Sequence, residues 1–364
     1  MVDQNTSSHI MKGGRTMEVD DSPQEKSKKA SLSEPSIQLL FENLDLAWVT
    51  ERIASRYSQR KRRPPVSPEP EIRAHIFKDL RQIRSFRKLE AVLAENEGVW
   101  ARRLGFERPP RHQSFSAFRK RVGSTFFNEI FYEIRKHLLQ VLPDLADIVV
   151  IDSSSVDAYG RPARGRRKSS DPDAKWGVRT NTRTGKIERF FGWKLHTAHA
   201  AKYGSAIDFI VTPGKNNDSP QYPKLIRMLS EAEISFNYLV ADAGYDARSN
   251  YFTTIAHHAK PIIAYNRRSK PKGTKGRRLD FELPVPRNSP EWKEKYGYRP
   301  AVERQFSELK EQLGMKFLTL RGLEGVTIHL CISLTVLLVI NLVAHLTGNP
   351  ELLRSVEPWK YSNV

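Results

Sequence analysis

The chain has 364 residues, of which 39% are hydrophobic, so it is long enough for two domains and rich enough to bury a substantial core. Its 60 Lys and Arg against 41 Asp and Glu give a formal net charge of +19, which calls for a polyanionic partner: nucleic acid first, with ribosomal RNA or an acidic membrane surface as other polyanions that would serve. The single cysteine, Cys331, excludes an intrachain disulfide and a Cys-based zinc site, as expected in a reducing compartment, and the start lacks the apolar stretch of a signal peptide.

Residues 1–35 are polar, charged and Ser-rich, and are expected to be a disordered tail. From Ser36 the spacing turns helical, with Ile37, Leu40, Phe41, Leu44 and Trp48 on one face. A basic, Pro-rich link from Arg60 interrupts it. Helices are then expected near Glu71, from Phe86 with Ser85 as its cap, over Phe115 to Val122 with Ser114 as cap, and from about Thr125 to Val141. Residues 36–143 thus read as an all-helical module with basic surfaces. The Ser114 helix carries Arg119, Lys120 and Arg121, which suit phosphate contact better than base-specific reading by a helix-turn-helix.

The next segment is different. Ile148 to Ile151 form a short apolar run ending in Asp152, and Tyr238 to Ala241 form another ending in Asp242, so each Asp stands at the C-terminal end of a buried strand. In open α/β sheets such ends gather ligand sites. One Asp there is a common cap; two suggest a site. Asp157 and Asp246 compete as ligands but lie farther along, and rank lower. Between the two strands, residues 175–212 read as strand, turn and strand followed by a returning strand, an antiparallel meander. A helix over 219–232 precedes the Asp242 strand, and a helix over 249–258 and a strand from Pro261 to Tyr265 follow it. His196 in the meander and Asp218 before a helix are second-tier site candidates, residue types that in such places are more often structural. Asn266 to Arg278 is a basic loop whose Arg267 and Arg268 would offset DNA phosphate beside an acidic site.

Residues 296–310 read YGYRPAVERQFSELK. Pro300 fits only the first turn of a helix and Gly314 suits an end, so a helix is expected between them with Val302, Phe306, Leu309 and Leu313 inward. At about 100° per residue, Glu303 and Lys310 fall on nearly one line beside that stripe. From these residues alone, an amphipathic helix with solvated charges and a helix addressing a phosphate-and-metal site stand equally. Glu303 joins Asp152 and Asp242 as a third carboxylate in an oxygen-rich set suited to Mg²⁺ or Mn²⁺. Val326 to Leu346 is apolar enough to span a bilayer, but His329, Asn341 and His345 interrupt it, and a central buried helix is the expected role.

With these motifs in order, the chain resembles the DDE class of insertion-sequence transposases. Tyr296, Arg299, Glu303 and Lys310 match the Tyr-x2-Arg-x3-Glu-x6-Lys signature of that group, and VVIDSSSV, FFGWKLHTA, TPGKNNDS and VADAGYD extend the likeness over about residues 147–346. HQSFSAFRKRVG is similar to the N-terminal domains of such enzymes. The resemblance implies an α/β fold with a ribonuclease H-like mixed five-stranded sheet flanked by helices, preceded by an all-helical N-terminal domain for DNA binding or dimerisation. It implies that Asp152, Asp242 and Glu303 bind two ions, Mg²⁺ or substituting Mn²⁺, and that Tyr296, Arg299 and Lys310 hold DNA phosphates. The implied boundaries are a tail over 1–35, a helical domain over 36–143, a catalytic domain over 144–348 and a C-terminal tail over 349–364. The implied partner is double-stranded DNA, as terminal inverted repeats and target, with a homodimer in the active complex and a nucleoid-associated, prokaryotic cytoplasmic location. A silent DNA-binding derivative and a nuclease without strand transfer are the alternative functions.

Overall fold

A computed structural model of the chain describes residues 35–53, 67–180, 184–266 and 282–361. At its centre is β1 (Ile148–Asp157), whose leading residues Ile148, Val149, Val150 and Ile151 are all buried. Branched side chains in a row are covered only where both faces of a strand are packed, so β1 is interior. On one edge it pairs antiparallel with β3 (Ile187–Ala200), placing Asp152 opposite Thr197. On the other it pairs parallel with β5 (Tyr238–Ala241), and β6 (Lys260–Ile263) continues in parallel beyond.

The far edge of β3 is shared. β2 (Lys175–Thr180) pairs with Ile187 to Gly192, and β4 (Ser205–Pro213) with Trp193 to Ala200. The six strands of this mixed sheet therefore occupy five positions across it, which is how the expected five-stranded sheet is realised. Glycines make the join possible. A Cβ on Gly177 would stand 2.3 Å from the Gly214 carbonyl oxygen, and one on Gly192 would stand 2.0 Å from that of Val156, too close for any other residue.

Helices cover both faces of the sheet. Register puts Val150 and Asp152 on one face, and His199, opposite Val150, donates a 2.8 Å hydrogen bond from Nδ1 to Gln305 Oε1 of α10 (Pro300–Glu311), which lies on that face. His196, opposite Ser153, is on the other face, near Asp218 at the start of the segment leading into α7 (Tyr222–Glu231). α8 (Arg248–Ala256) packs on β6, and α9 (Pro290–Tyr296) on β5 and β6.

The N-terminal region is helical: α1 (Ile37–Glu42), α2 (Ala47–Ile53), α3 (Pro68–Leu80), α4 (Phe86–Ala94), α5 (Val99–Arg103) and α6 (His112–Val141). Ser85 caps α4 as expected, accepting from the Lys88 amide. Two local expectations are corrected. The single helix from Ser36 is two, because Asn43 turns its amide onto the Leu39 carbonyl and Asp45 accepts from the Ala47 amide, starting a new helix. Ser114 is not a cap, because α6 begins earlier, at His112, whose amide is accepted by Glu90; Ser114 instead donates to the Arg111 carbonyl. Gly123, at φ 69°, breaks α6 inside, and Glu324 caps the second half by accepting from the amide and hydroxyl of Ser124 at 2.5 and 2.7 Å.

α11 (Gly322–Leu346) joins the regions. Its most apolar stretch is 94% buried within the protein, packed against α3, α6 and β4. The polar residues that interrupt the stretch are its anchors: Ser333 donates to Asp79 at 3.1 Å, His329 lies 3.5 Å from the same carboxylate, and Asn341 accepts from Ser205 at 2.9 Å. The described residues form one compact unit.

Candidate active site

The parallel pairing of β1 and β5 runs to Ile151 beside Ala241, so Asp152 and Asp242 come side by side; Asp242 leaves the end of β5, but Asp152 is not at the strand end expected from the sequence, because pairing with β3 carries β1 on to Asp157. Asp242 opens a one-turn 3₁₀ helix and accepts the Gly244 amide at 2.8 Å. Asp152 is held by the Ser153 amide at 2.7 Å, with its side chain only 15% exposed. Burial and the neighbouring Asp242 push its pKa up to about 7. Two carboxylates crowded at a buried site carry a cost that a proton or a cation relieves.

In this structure the cation is Arg299. It forms the first residue of α10's N-terminal turn, one Nη lying 3.3 Å from Asp152 and the other on Glu303 one turn along. Burial disfavours its charge, yet Asp152, Glu303 and Asp242 together hold its pKa above the ordinary range. One guanidinium thus answers all three carboxylates. Pro300 and the buried stripe of Val302, Phe306, Leu309 and Leu313 seat α10 as expected, leaving Glu303 at the exposed edge.

Tyr296 ends α9, stacked on Trp292 at 4.6 Å, and burial with the three carboxylates nearby raises its pKa. Lys310 is half-buried two turns beyond Glu303; burial and Arg179 lower its pKa, while Asp157 and Asp152 draw it the other way. The two lower-ranked acids are committed elsewhere. Asp157 pairs with Arg179 at 3.0 Å, and Asp246 accepts from Arg287, Tyr251 and the Asn266 amide.

A family description of the transposase DDE domain matches residues 143–339, and one of a transposase domain (DUF772) matches residues 25–121. The chain belongs to the DDE transposase family. No curated protein matches it. Among solved structures it is similar to a piggyBac transposase synaptic complex with hairpin DNA, determined by cryo-EM, at 12% identity and a TM-score of 0.41 over 89% of this chain and 80% of that one. A likeness that distant carries no argument about the site.

Within the DDE domain, the second-tier candidates meet each other. Asp218 binds Lys194 at 2.9 Å and lies 3.7 Å from His196, whose other nitrogen meets the Thr212 hydroxyl at 2.9 Å. Burial lowers the His196 pKa to about 4, so it is neutral. His196 faces the side of the sheet away from Asp152, whereas Asp218 still adds to the field that raises Asp152. Of the basic residues on α6, Lys120 and Arg121 are exposed but Arg119 is turned inward and 8% exposed. Arg267 and Arg268 lie outside the described residues. Around these residues stand others that sequence patterns pass over: Gln305, whose bond to buried His199 ties α10 to the sheet, and Trp292 under Tyr296. Gln305 had left a trace, a polar side chain within an otherwise apolar stripe.

The donor set fits a divalent cation in chemistry, all carboxylate oxygen. Among the described residues, no three acidic, His or Cys side chains are close enough to cage a metal ion. Asp152 and Glu303 meet the Arg299 guanidinium instead.

Proposed function

We propose that this transposase cuts DNA at the terminal inverted repeats of its element and joins the freed 3′-OH to target DNA. The observation that supports this reading is the convergence of Asp152, Asp242 and Glu303 on one cation, Arg299. Asp152, Asp242 and Glu303 would hold divalent ions, Mg²⁺ with Mn²⁺ as substitute and two in number. Bound ions supply activation of the attacking oxygen and stabilisation of the leaving oxygen in an in-line phosphodiester displacement. The chain itself positions the DNA. Arg299, freed from the carboxylates, pairs with a phosphate in their place; Tyr296 at the end of α9 and Lys310 on α10 add further phosphate contacts, as do Lys120 and Arg121 on α6, and Arg267 and Arg268 by their charge. Joining to both target strands requires paired ends, and so a homodimer in the active complex. The helical module of residues 36–143 serves end binding or dimerisation beside a catalytic domain of residues 144–348.

A Mg²⁺-dependent cleavage and strand-transfer assay on the DNA ends flanking the gene tests this, with Asp152→Ala, Asp242→Ala and Glu303→Ala beside the wild type. Nicking and joining by the wild type, lost in each variant while DNA binding persists, is expected. Cleavage retained in all three variants overturns the site. Cleavage without a joined product makes the protein a nuclease, and binding without cleavage by the wild type, with Mn²⁺ also tried, makes it a silent DNA-binding derivative.

A further inference from the structure

A cavity of about 350 Å³ opens where the α3–α4 turn of the helical region meets the end of α10 and the start of α11. Its walls are tied across that junction, Gln82 donating to the Glu311 carbonyl and Thr319 to the Arg84 carbonyl. Five cations line it: Lys78, Arg81, Arg84, Arg119 and Lys310. The two lining carboxylates are already occupied. Asp79 is met by Lys78 at 3.3 Å, Ser333 at 3.1 Å and His329 at 3.5 Å, and Glu311 by Lys316 at 3.3 Å.

Arg119 is the decisive side chain. It is 8% exposed, and among the described residues its Nε and Nη2 are buried with no hydrogen-bond partner. Phe86 covers one face of the guanidinium at 4.7 Å, and Lys78 also approaches that ring, at 6.0 Å. Burial lowers the Arg119 pKa to about 10, with the charge of Asp79 opposing the shift, which leaves it charged at neutral pH. Nearby Asp79 is its counter-charge without a hydrogen bond to it, and a guanidinium lining a cavity with four other cations matches the oxygens of a phosphate. At the mouth, Phe317 is 55% exposed with Arg84 stacked 5.0 Å over its ring, an aromatic lip of the kind on which a sugar or base can rest. Lys310 closes the connection. It lines the cavity and lies seven residues, about 10 Å of helix, from Glu303.

We propose that this cavity is a phosphate-binding site, and that it takes a backbone phosphate of the DNA strand held at the carboxylates, within a few nucleotides of the reacting one. The strand assignment rests on the DNA-cutting function proposed above; the phosphate chemistry does not.

The test uses the full chain with three variants: Arg119→Met, which keeps volume and removes charge, and Arg84→Ala and Arg81→Ala at the wall. Inorganic phosphate binding is followed by calorimetry, and binding of a duplex bearing the element end is followed over a range of salt. Both affinities should fall about tenfold in Arg119→Met, the scale of one charge-assisted hydrogen bond, with the salt slope for DNA reduced by about one. Arg119→Met should also melt at a higher temperature than the wild type without ligand, because a buried charge whose Nε and Nη2 lack hydrogen-bond partners has been replaced by an apolar side chain, while Asp79 keeps Lys78. A guanidinium that only braced the fold would melt lower on removal. Should Arg119→Met fail to fold, Arg84→Ala and Arg81→Ala, nearer the opening, still read both affinities. Phosphate binding lost with DNA affinity and salt slope unchanged overturns the strand assignment and leaves a free-anion site. No phosphate binding by the wild type and no change in any variant overturns the site altogether. Intact DNA and phosphate effects in a protein that cuts nothing would fault the proposed reaction and not this cavity.

Discussion

Arg299 carries two roles that compete. In the structure it neutralises Asp152 and Glu303, and in the proposed reaction it pairs with DNA instead. Arg299→Ala should therefore bind Mn²⁺ more tightly than the wild type in the absence of DNA and bind end DNA more weakly; calorimetric titration with Mn²⁺ reads the first effect, and equal or weaker metal affinity would deny the competition. A second residue-scale test concerns Glu71, which is 2% exposed on α3 and has one carboxylate oxygen without a partner among the described residues. Burial, opposed by Ser114 and Arg121, raises its pKa from 4.5 to about 7. The folded state then holds a proton that the unfolded state has lost, so stability falls as pH rises from 4.5 through 7 and levels off above, by on the order of 3 kcal/mol at most. Glu71→Gln should melt like the wild type below pH 5 and higher than it at pH 8. At this scale the acids were legible, since Asp152 and Asp242 each follow an apolar run. That Arg299 would stand between them was not, because a guanidinium's reach across strands leaves no periodic trace.

At the scale of elements, patterns of burial were read well where a helix or strand is held by its own stripe, and poorly where a distant side chain ends it. The stripe of α10 and the cap of α4 followed from local spacing. The break inside α6 depends on Glu324, which is 200 residues away from Ser124 in sequence. Glu324→Ala should expose the amides at the start of the second half of α6 and cost about 1 kcal/mol, a capping loss, measurable by urea unfolding. An unchanged midpoint would show that Gly123 alone sets the break. Gly123→Ala is expected to cost about as much again, because its φ of 69° is a left-handed conformation that a Cβ resists. Capping serines are short-range devices, and Ser114 shows their limit: an acid on a neighbouring helix, Glu90, took the amide that begins α6 and made a cap unnecessary.

Across the whole molecule, α11 is the shared core of the helical region and the sheet, and Asp79 is the polar joint between α3 and α11. Its side chain is 1% exposed beside Lys78, so Asp79→Ala strands a buried ammonium and should destabilise the protein by roughly 3 kcal/mol in urea unfolding followed by tryptophan fluorescence. A loss below about 0.5 kcal/mol, the ordinary scatter of surface substitutions, would mean the joint is solvated. The sequence by itself determined the class of chain, because its motifs, from VVIDSSSV to Tyr296, Arg299, Glu303 and Lys310, stand in the order that DDE transposases share. It also determined which face of α10 is buried and that Val326 to Leu346 is an internal helix, since His329 and Asn341 need polar partners that lipid does not offer. Only the tertiary structure decided that β2 and β4 share one edge of β3, that Arg119 turns inward while Lys120 and Arg121 face out, and that Arg299 is the counter-ion of the carboxylates. Each of these depends on which surfaces meet through space, where desolvation and pairing across long sequence separations outweigh any local preference.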